Sequence, residues 1–286
     1  MNPMNGKLRV FICGAFFLAA FSAGAQDISW KSAINWEKGE LTLTLSSVFD
    51  MSGPNRPAAA VAAERNIDTN LSRIFSEAIL AVQVDSVMNI GDAANKGVLP
   101  AADLIPLSRQ GKKGIPRFAP DMRSLSIDYT YVLHDIFASY FIRHLVPREV
   151  PRFLAWVPTR DYTGIVIYAG EELPVHGEHG KKKIAACLFP EIFDEDMNPV
   201  LATTMGDPAY LARWGSAAYT DSFSEKPWKE RIGDRPVYIL ARGLFGKYPT
   251  DLKIPSEDAA GILAKPENRR LLAEGRILII TGEKKP

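Results

Sequence analysis

Leu41-Thr42-Leu43-Thr44-Leu45-Ser46 alternates apolar and hydroxylated side chains. A period of two predicts a β-strand with its leucines on one face and its hydroxyls on the other. The same period returns where Leu125, Ile127, Tyr129 and Tyr131 alternate with Ser124, Ser126, Asp128 and Thr130. Thr163-Gly164-Ile165-Val166-Ile167-Tyr168-Ala169 is apolar at nearly every position and predicts a strand covered on both sides. Residues 236–241 and 276–281 read as further buried strands. Residues 187–193 read as another, followed by a turn over 194–199 and a return strand beginning at Val200.

A second period runs through Ile67, Leu71, Ile74, Phe75, Ala78 and Val82, spaced by three and four, and predicts a long helix. Arg73 and Glu77 lie one turn apart on its polar side, and the polar stretch 66–70 predicts a break. Residues 136–145 carry a short helical stripe of Ile136, Phe137, Tyr140, Phe141 and His144, ended by Pro147 and Pro151. Ser256 is placed to cap a helix over 257–263, and Pro266 opens another, over 267–274, that Gly275 stops.

Between these segments, residues 96–121 are punctuated by Gly97, Pro100, Pro106, Gly111, Gly114, Pro116 and Pro120. Such a stretch predicts a surface loop or linker, with Arg109, Lys112 and Lys113 as a solvated basic cluster. The expected organisation is a leader over 1–25, a strand and helical segment over 26–95, the linker over 96–121 and a main α/β body over 122–286. Interspersed strands and helices without a fixed repeat predict an α+β fold: a mixed sheet with packed helices, preceded by an N-terminal strand and a long helix.

The leader is read from Lys7 and Arg9, the mostly apolar run 10–20, and Ala23-Gly24-Ala25, a small-x-small pattern that directs cleavage before Gln26. The run is shorter than the roughly 20 apolar residues of a spanning helix, so no transmembrane helix is expected after cleavage. Cys13 follows Val10-Phe11-Ile12 and comes too early for lipidation. A periplasmic or secreted location is the expectation.

Cleavage takes two of the 34 basic residues and none of the 33 acidic ones, leaving a net charge of about −1. That balance argues against nucleic acid as a partner. It also leaves Cys187 as the single cysteine, with no internal disulfide to form, inside an apolar run where a thiol serves as core.

Candidate chemistry is sparse. His176-Gly177-Glu178-His179 groups two imidazoles and a carboxylate suited to a divalent metal. Pro174, Gly177 and Gly180 mark a loop running into Lys181-Lys182-Lys183, whose charges oppose a cation, so a polar hairpin tip is the preferred reading. Asp194-x-Asp196-x-Asn198 begins like a calcium loop but has Pro199 and Met205 where glycine and glutamate are needed. No Gly-x-Ser-x-Gly elbow is present, and Gly243-Leu244-Phe245-Gly246-Lys247 lacks phosphate-loop spacing. His134 and His144 flank an apolar stretch and read as core or surface residues. Trp30 and Trp36 are expected to pack over a strand edge. Trp156, Tyr168 and Trp214 are the aromatics that a small-ligand platform would use. No catalytic residue, cofactor or metal is expected.

Four segments carry a likeness: residues 162–169, residues 188–196, Ala241-Arg242-Gly243 with residues 254–260, and residues 271–280. Their order resembles that in uncharacterised exported bacterial proteins similar to flagellar assembly protein T and related small surface lipoproteins, over residues 124–281. The resemblance implies a non-catalytic envelope role in assembly or contact with other proteins, and this chain departs from it in the longer segment 170–183. The function expected is therefore an exported, non-catalytic envelope protein with a structural, assembly or protein-interaction role and an envelope protein as partner. The alternative is an envelope hydrolase or a carbohydrate- or small-ligand-binding protein.

Overall fold

Two sheets of opposite character organise the chain in the computed structural model, which describes residues 28–49 and 56–282. Ala23, Ala25 and Gln26, where cleavage is expected, lie outside the described residues.

The first unit begins with β1 (Ile28–Asn35) and β2 (Glu40–Val48), an antiparallel hairpin. It continues with α1 (Arg56–Ile79), α2 (Ile90–Asn95), α3 (Leu104–Ser108), β3 (Lys112–Lys113), β4 (Arg117–Phe118), β5 (Ser124–Val132) and α4 (Leu133–Phe141). β2 pairs with β5 along its whole length, setting Leu41 opposite Tyr131, Leu43 opposite Tyr129 and Leu45 opposite Ile127. All six side chains are buried on one face, under α1. The opposite face pairs hydroxyls and acids: Thr44 Oγ1 donates to Asp128 Oδ1 at 2.7 Å, and the Ser46 and Ser126 hydroxyls meet at 2.7 Å. The alternation in the sequence is this division of faces.

α1 runs unbroken through residues 66–70. The polar side chains there bond back to the helix: Thr69 Oγ1 to the Arg65 carbonyl at 2.8 Å and Asn70 Nδ2 to the Asn66 carbonyl at 3.0 Å. Ile67, Leu71, Ile74 and Phe75 still face the sheet, and burial of that stripe outweighs the weak helix propensity of the polar residues.

The expected linker over 96–121 is instead part of this unit. Leu99, Leu104 and Leu107 are buried in its core, β3 and β4 add to the free edge of β5, and Tyr131 donates to the Ser108 carbonyl at 2.8 Å. The glycines and prolines mark changes of direction between short packed pieces; a β-carbon at Gly111 would lie 2.4 Å from the Tyr131 ring. The basic cluster is partly tied down, since Lys113 Nζ reaches Glu64 at 2.8 Å and Asp68 at 2.9 Å on α1. The boundary falls after α4, which ends at Phe141 rather than running to 145; His144 turns away to hydrogen-bond the Gly206 carbonyl at 2.7 Å.

The second unit contains β6 (Ile165–Tyr168), β7 (Leu173–Pro174), β8 (Lys181–Lys182), β9 (Ile192–Phe193), β10 (Pro199–Leu201), α5 (Pro208–Trp214), β11 (Ala218–Thr220) and α6 (Lys229–Ile232). After these come β12 (Val237–Leu240), β13 (Gly243–Phe245), β14 (Asp251–Lys253), α7 (Ser256–Leu263), α8 (Pro266–Ala273) and β15 (Ile277–Ile280). Its main sheet has the order β11-β15-β6-β12 and is parallel throughout. Ile165, Ile167, Ile277 and Ile279 enter one core with α7 and α8, while Val166, Leu278 and Ile280 enter another with Ile232 of α6. Strands covered on both faces need apolar residues at every position, as β6 and β15 have; β12, expected to be buried, is the sheet edge and leaves Tyr238 and Leu240 51 and 64% exposed. A smaller sheet, β10-β9-β14-β13, flanks it. The fold is thus α+β with mixed sheets.

Within residues 187–193 only Ile192 and Phe193 form a strand. Leu188 and Phe189 are diverted to the first unit, where their amides donate to the Gln83 and Val84 carbonyls at 3.1 and 2.9 Å and both side chains enter its core, while the Cys187 amide donates to the Tyr219 hydroxyl of the second unit at 3.2 Å. Among the described residues, no helix is long and apolar enough to cross a membrane.

Candidate functional site

A cleft of about 270 Å3 opens where the turn between β1 and β2 and the start of α4 meet α5, β11 and α6. The first unit contributes Trp36, Lys38 and His134; the second contributes Arg213, Trp214, Trp228 and Arg231. Trp36 was expected over a strand edge. It sits instead at the tip of the hairpin, touching both cores and meeting the Tyr219 ring edge-on at 6.1 Å. Beside it Thr220 Oγ1 donates to Glu37 Oε1 at 3.1 Å.

Trp214 closes α5, whose first turn is capped by Asp207 accepting from the Ala209 amide at 2.9 Å. Its indole N–H donates to the Glu274 carbonyl at 2.8 Å, which fixes the ring. Three guanidinium groups lie against that ring, from Arg213, Arg231 and Arg276, at 4.7, 5.2 and 5.9 Å from its centroid. Arg276 is neutralised by Glu274 at 2.6 Å and Arg213 by Glu230 at 2.6 Å.

Arg231 differs from both. It is 6% exposed and donates to three main-chain carbonyls, Gly275 at 2.7 Å, Trp214 at 2.8 Å and Gly215 at 2.9 Å. Carbonyl dipoles satisfy its geometry without supplying a negative charge. Burial pushes the guanidinium down to about 9, so it stays cationic at neutral pH.

His134 begins α4 and lies against Gly215. Burial, with the Arg231 charge adding to it, holds the imidazole down to about 4, so the ring is neutral. Among the described residues, the buried side-chain polar atoms without a hydrogen-bond partner are His134 Nδ1, Ser216 Oγ and Trp228 Nε1. Two of these residues line the cleft and Ser216 precedes its wall residue Ala217. Buried polar atoms are normally satisfied, so their grouping in one place is informative.

The candidate metal-binding residues lie elsewhere. His176, Glu178 and His179 are exposed at the tip of the β7–β8 hairpin. Glu178 Oε2 is held by Lys182 at 2.6 Å, and His176 Nδ1 faces Lys253 Nζ at 3.4 Å, so the three are not drawn to one point. Among the described residues, no group of three or more His, Cys, Asp or Glu is placed to hold a metal ion. Asp194 accepts from the Asn198 amide at 2.7 Å and closes the acidic turn, while Glu195 accepts from the Ser256 amide at 3.2 Å at the start of α7, where Ser256 makes no capping bond of its own.

Cys187 is buried, and burial pushes its thiol far up. Tyr168 packs on Tyr238 and Phe223, at 6.3 and 6.0 Å between ring centroids. Of the proposed platform aromatics, Trp214 alone lies in the cleft. His134, Trp228 and Arg231 carried no local signal as a group; His134 lies 94 and 97 positions before the other two, and only the docking of the units brings it to them.

Residues 27–139 match the family model described as Treponema pallidum Tp0624, N-terminal domain, and residues 164–283 match that described as Treponema pallidum Tp0624, second domain. The class that fold and site define is a two-unit α+β protein with a cleft between its units. Each unit is similar to one of these Tp0624 domains, in the same order, and every cleft residue falls in one match or the other. No curated protein matches the chain.

Proposed function

We propose that this chain is an exported, non-catalytic envelope protein that acts in structure, assembly or protein contact. The observation that carries this reading is the segment joining the units. Leu145, Val146, Leu154 and Trp156 are 93, 79, 91 and 87% exposed. The backbone beneath them is pinned, with Val150 buried in the second core, the Arg148 amide on the Thr204 carbonyl at 2.8 Å and Thr159 Oγ1 on the Gly261 carbonyl at 2.8 Å. Large apolar side chains held out on an anchored segment favour contact with a partner. The leader pattern and the near-neutral charge support an envelope protein rather than nucleic acid as that partner.

A photocrosslinking residue in place of Trp156, used in intact cells, tests this. An adduct with an envelope protein is expected; its absence from every envelope fraction contradicts the reading. The hydrolase alternative has less support, because the cleft carboxylates Glu230 and Glu37 are engaged by Arg213 and Thr220 and leave no paired acid and base.

A further inference from the structure

We propose that the cleft between the units is a binding site for a small aromatic carboxylate. Its lining carries three cationic side chains, Lys38, Arg213 and Arg231, against two carboxylates, Glu37 and Glu230, and the unanswered polar atoms beside it can all donate. Trp228 Nε1 can only donate, and it is buried with no acceptor. Arg231 brings a buried positive charge that meets carbonyls but no carboxylate. His134 Nδ1 and Ser216 Oγ are likewise unanswered, and each can donate to an anion. Glu230 is paired with Arg213, which leaves Lys38 and Arg231 against the single carboxylate Glu37.

The rest of the lining sets the body of the ligand. Trp36, Trp214 and Trp228 present rings, and Ala217, Ala218 and Pro227 present small apolar surface. A volume of about 270 Å3 is small for a ligand pocket and suits a single ring with one carboxylate. The bound carboxylate accepts from the Trp228 indole and lies in the field of Arg231 and Lys38, while the ring packs among the tryptophans. The site goes beyond a role in protein contact and stands whether or not a protein partner exists.

The test uses the full chain, 15N-labelled, purified from cells and titrated with benzoate and with benzamide, its neutral counterpart. The Trp228 indole N–H signal is identified by its loss in Trp228→Phe, which keeps an aromatic ring in place. Benzoate is expected to move that signal saturably and benzamide to leave it in place. Lys38→Gln, an exposed substitution in the hairpin turn that should fold normally, is expected to weaken benzoate binding about tenfold, the effect of one charge-assisted contact. No benzoate-dependent movement up to about 10 mM, an equal response to benzamide, or unchanged affinity in folded Lys38→Gln overturns the proposal.

Discussion

Gly215 leaves the space that the His134 ring occupies: a β-carbon at 215 would sit 2.3 Å from His134 Cε1 and 2.5 Å from Nε2. Gly215 also has φ of +76°, a region that side chains disfavour. The two residues belong to different units, so this contact sets how closely the units dock. Gly215→Ala is expected to destabilise the chain by about 2–4 kcal/mol, combining backbone strain with overpacking. Thermal unfolding followed by circular dichroism measures it, and an unchanged midpoint would show that the units do not meet as described.

His134 makes that junction sensitive to acid. Its folded pKa of about 4 lies below the free value of 6.5, so the unfolded chain binds the extra proton between those limits. Its contribution is present above pH 6.5 and is lost as pH falls towards 4, about 3 kcal/mol in all. In urea titrations, His134→Gln is expected to lose less stability than the parent over that range.

Asp251 acts in the opposite sense. Burial pushes its carboxyl up to about 6, with Glu191 and Asp85 nearby adding to the rise. Its contribution is present below the unfolded value of 3.8 and is lost as pH rises through 6. Asp251→Asn retains an acceptor for the Glu191 amide, now at 3.0 Å. The variant is expected to be more stable than the parent at pH 7 by up to about 3 kcal/mol, with the difference vanishing near pH 4. A destabilised Asn variant at pH 7 would contradict this assignment.

Phe189 tests the docking from the other side. It is 2% exposed and meets the His134 and Phe141 rings at 6.0 and 6.2 Å. Phe189→Ala is expected to cost about 3–5 kcal/mol. Hydrogen exchange at the Leu188 and Phe189 amides should also speed up, because the side chain holds those backbone bonds in place. Unaltered exchange there would mean the junction does not depend on this ring.

Local pattern was enough for elements whose burial repeats within a few residues. Leu41, Leu43 and Leu45 announced β2, Leu125 to Tyr131 announced β5, and Pro266 with Gly275 bracketed α8 to within a residue or two. It failed where a distant contact decided the outcome. Gly111 and Pro116 looked like linker punctuation, yet they join pieces that complete the first sheet and core. The run from Cys187 to Phe189 looked like a strand, but the amides and side chains of Leu188 and Phe189 serve the other unit. The cleft was the least legible of all, because Trp214, Trp228 and His134 acquire a common purpose only when two separately patterned units close on each other.

The most direct test of export, on which the envelope role rests, is fractionation of cells with chemical reading of the protein's N-terminus. Gln26 at the front of a species outside the cytoplasm is the predicted result. An intact Met1 on a soluble cytosolic species would contradict it.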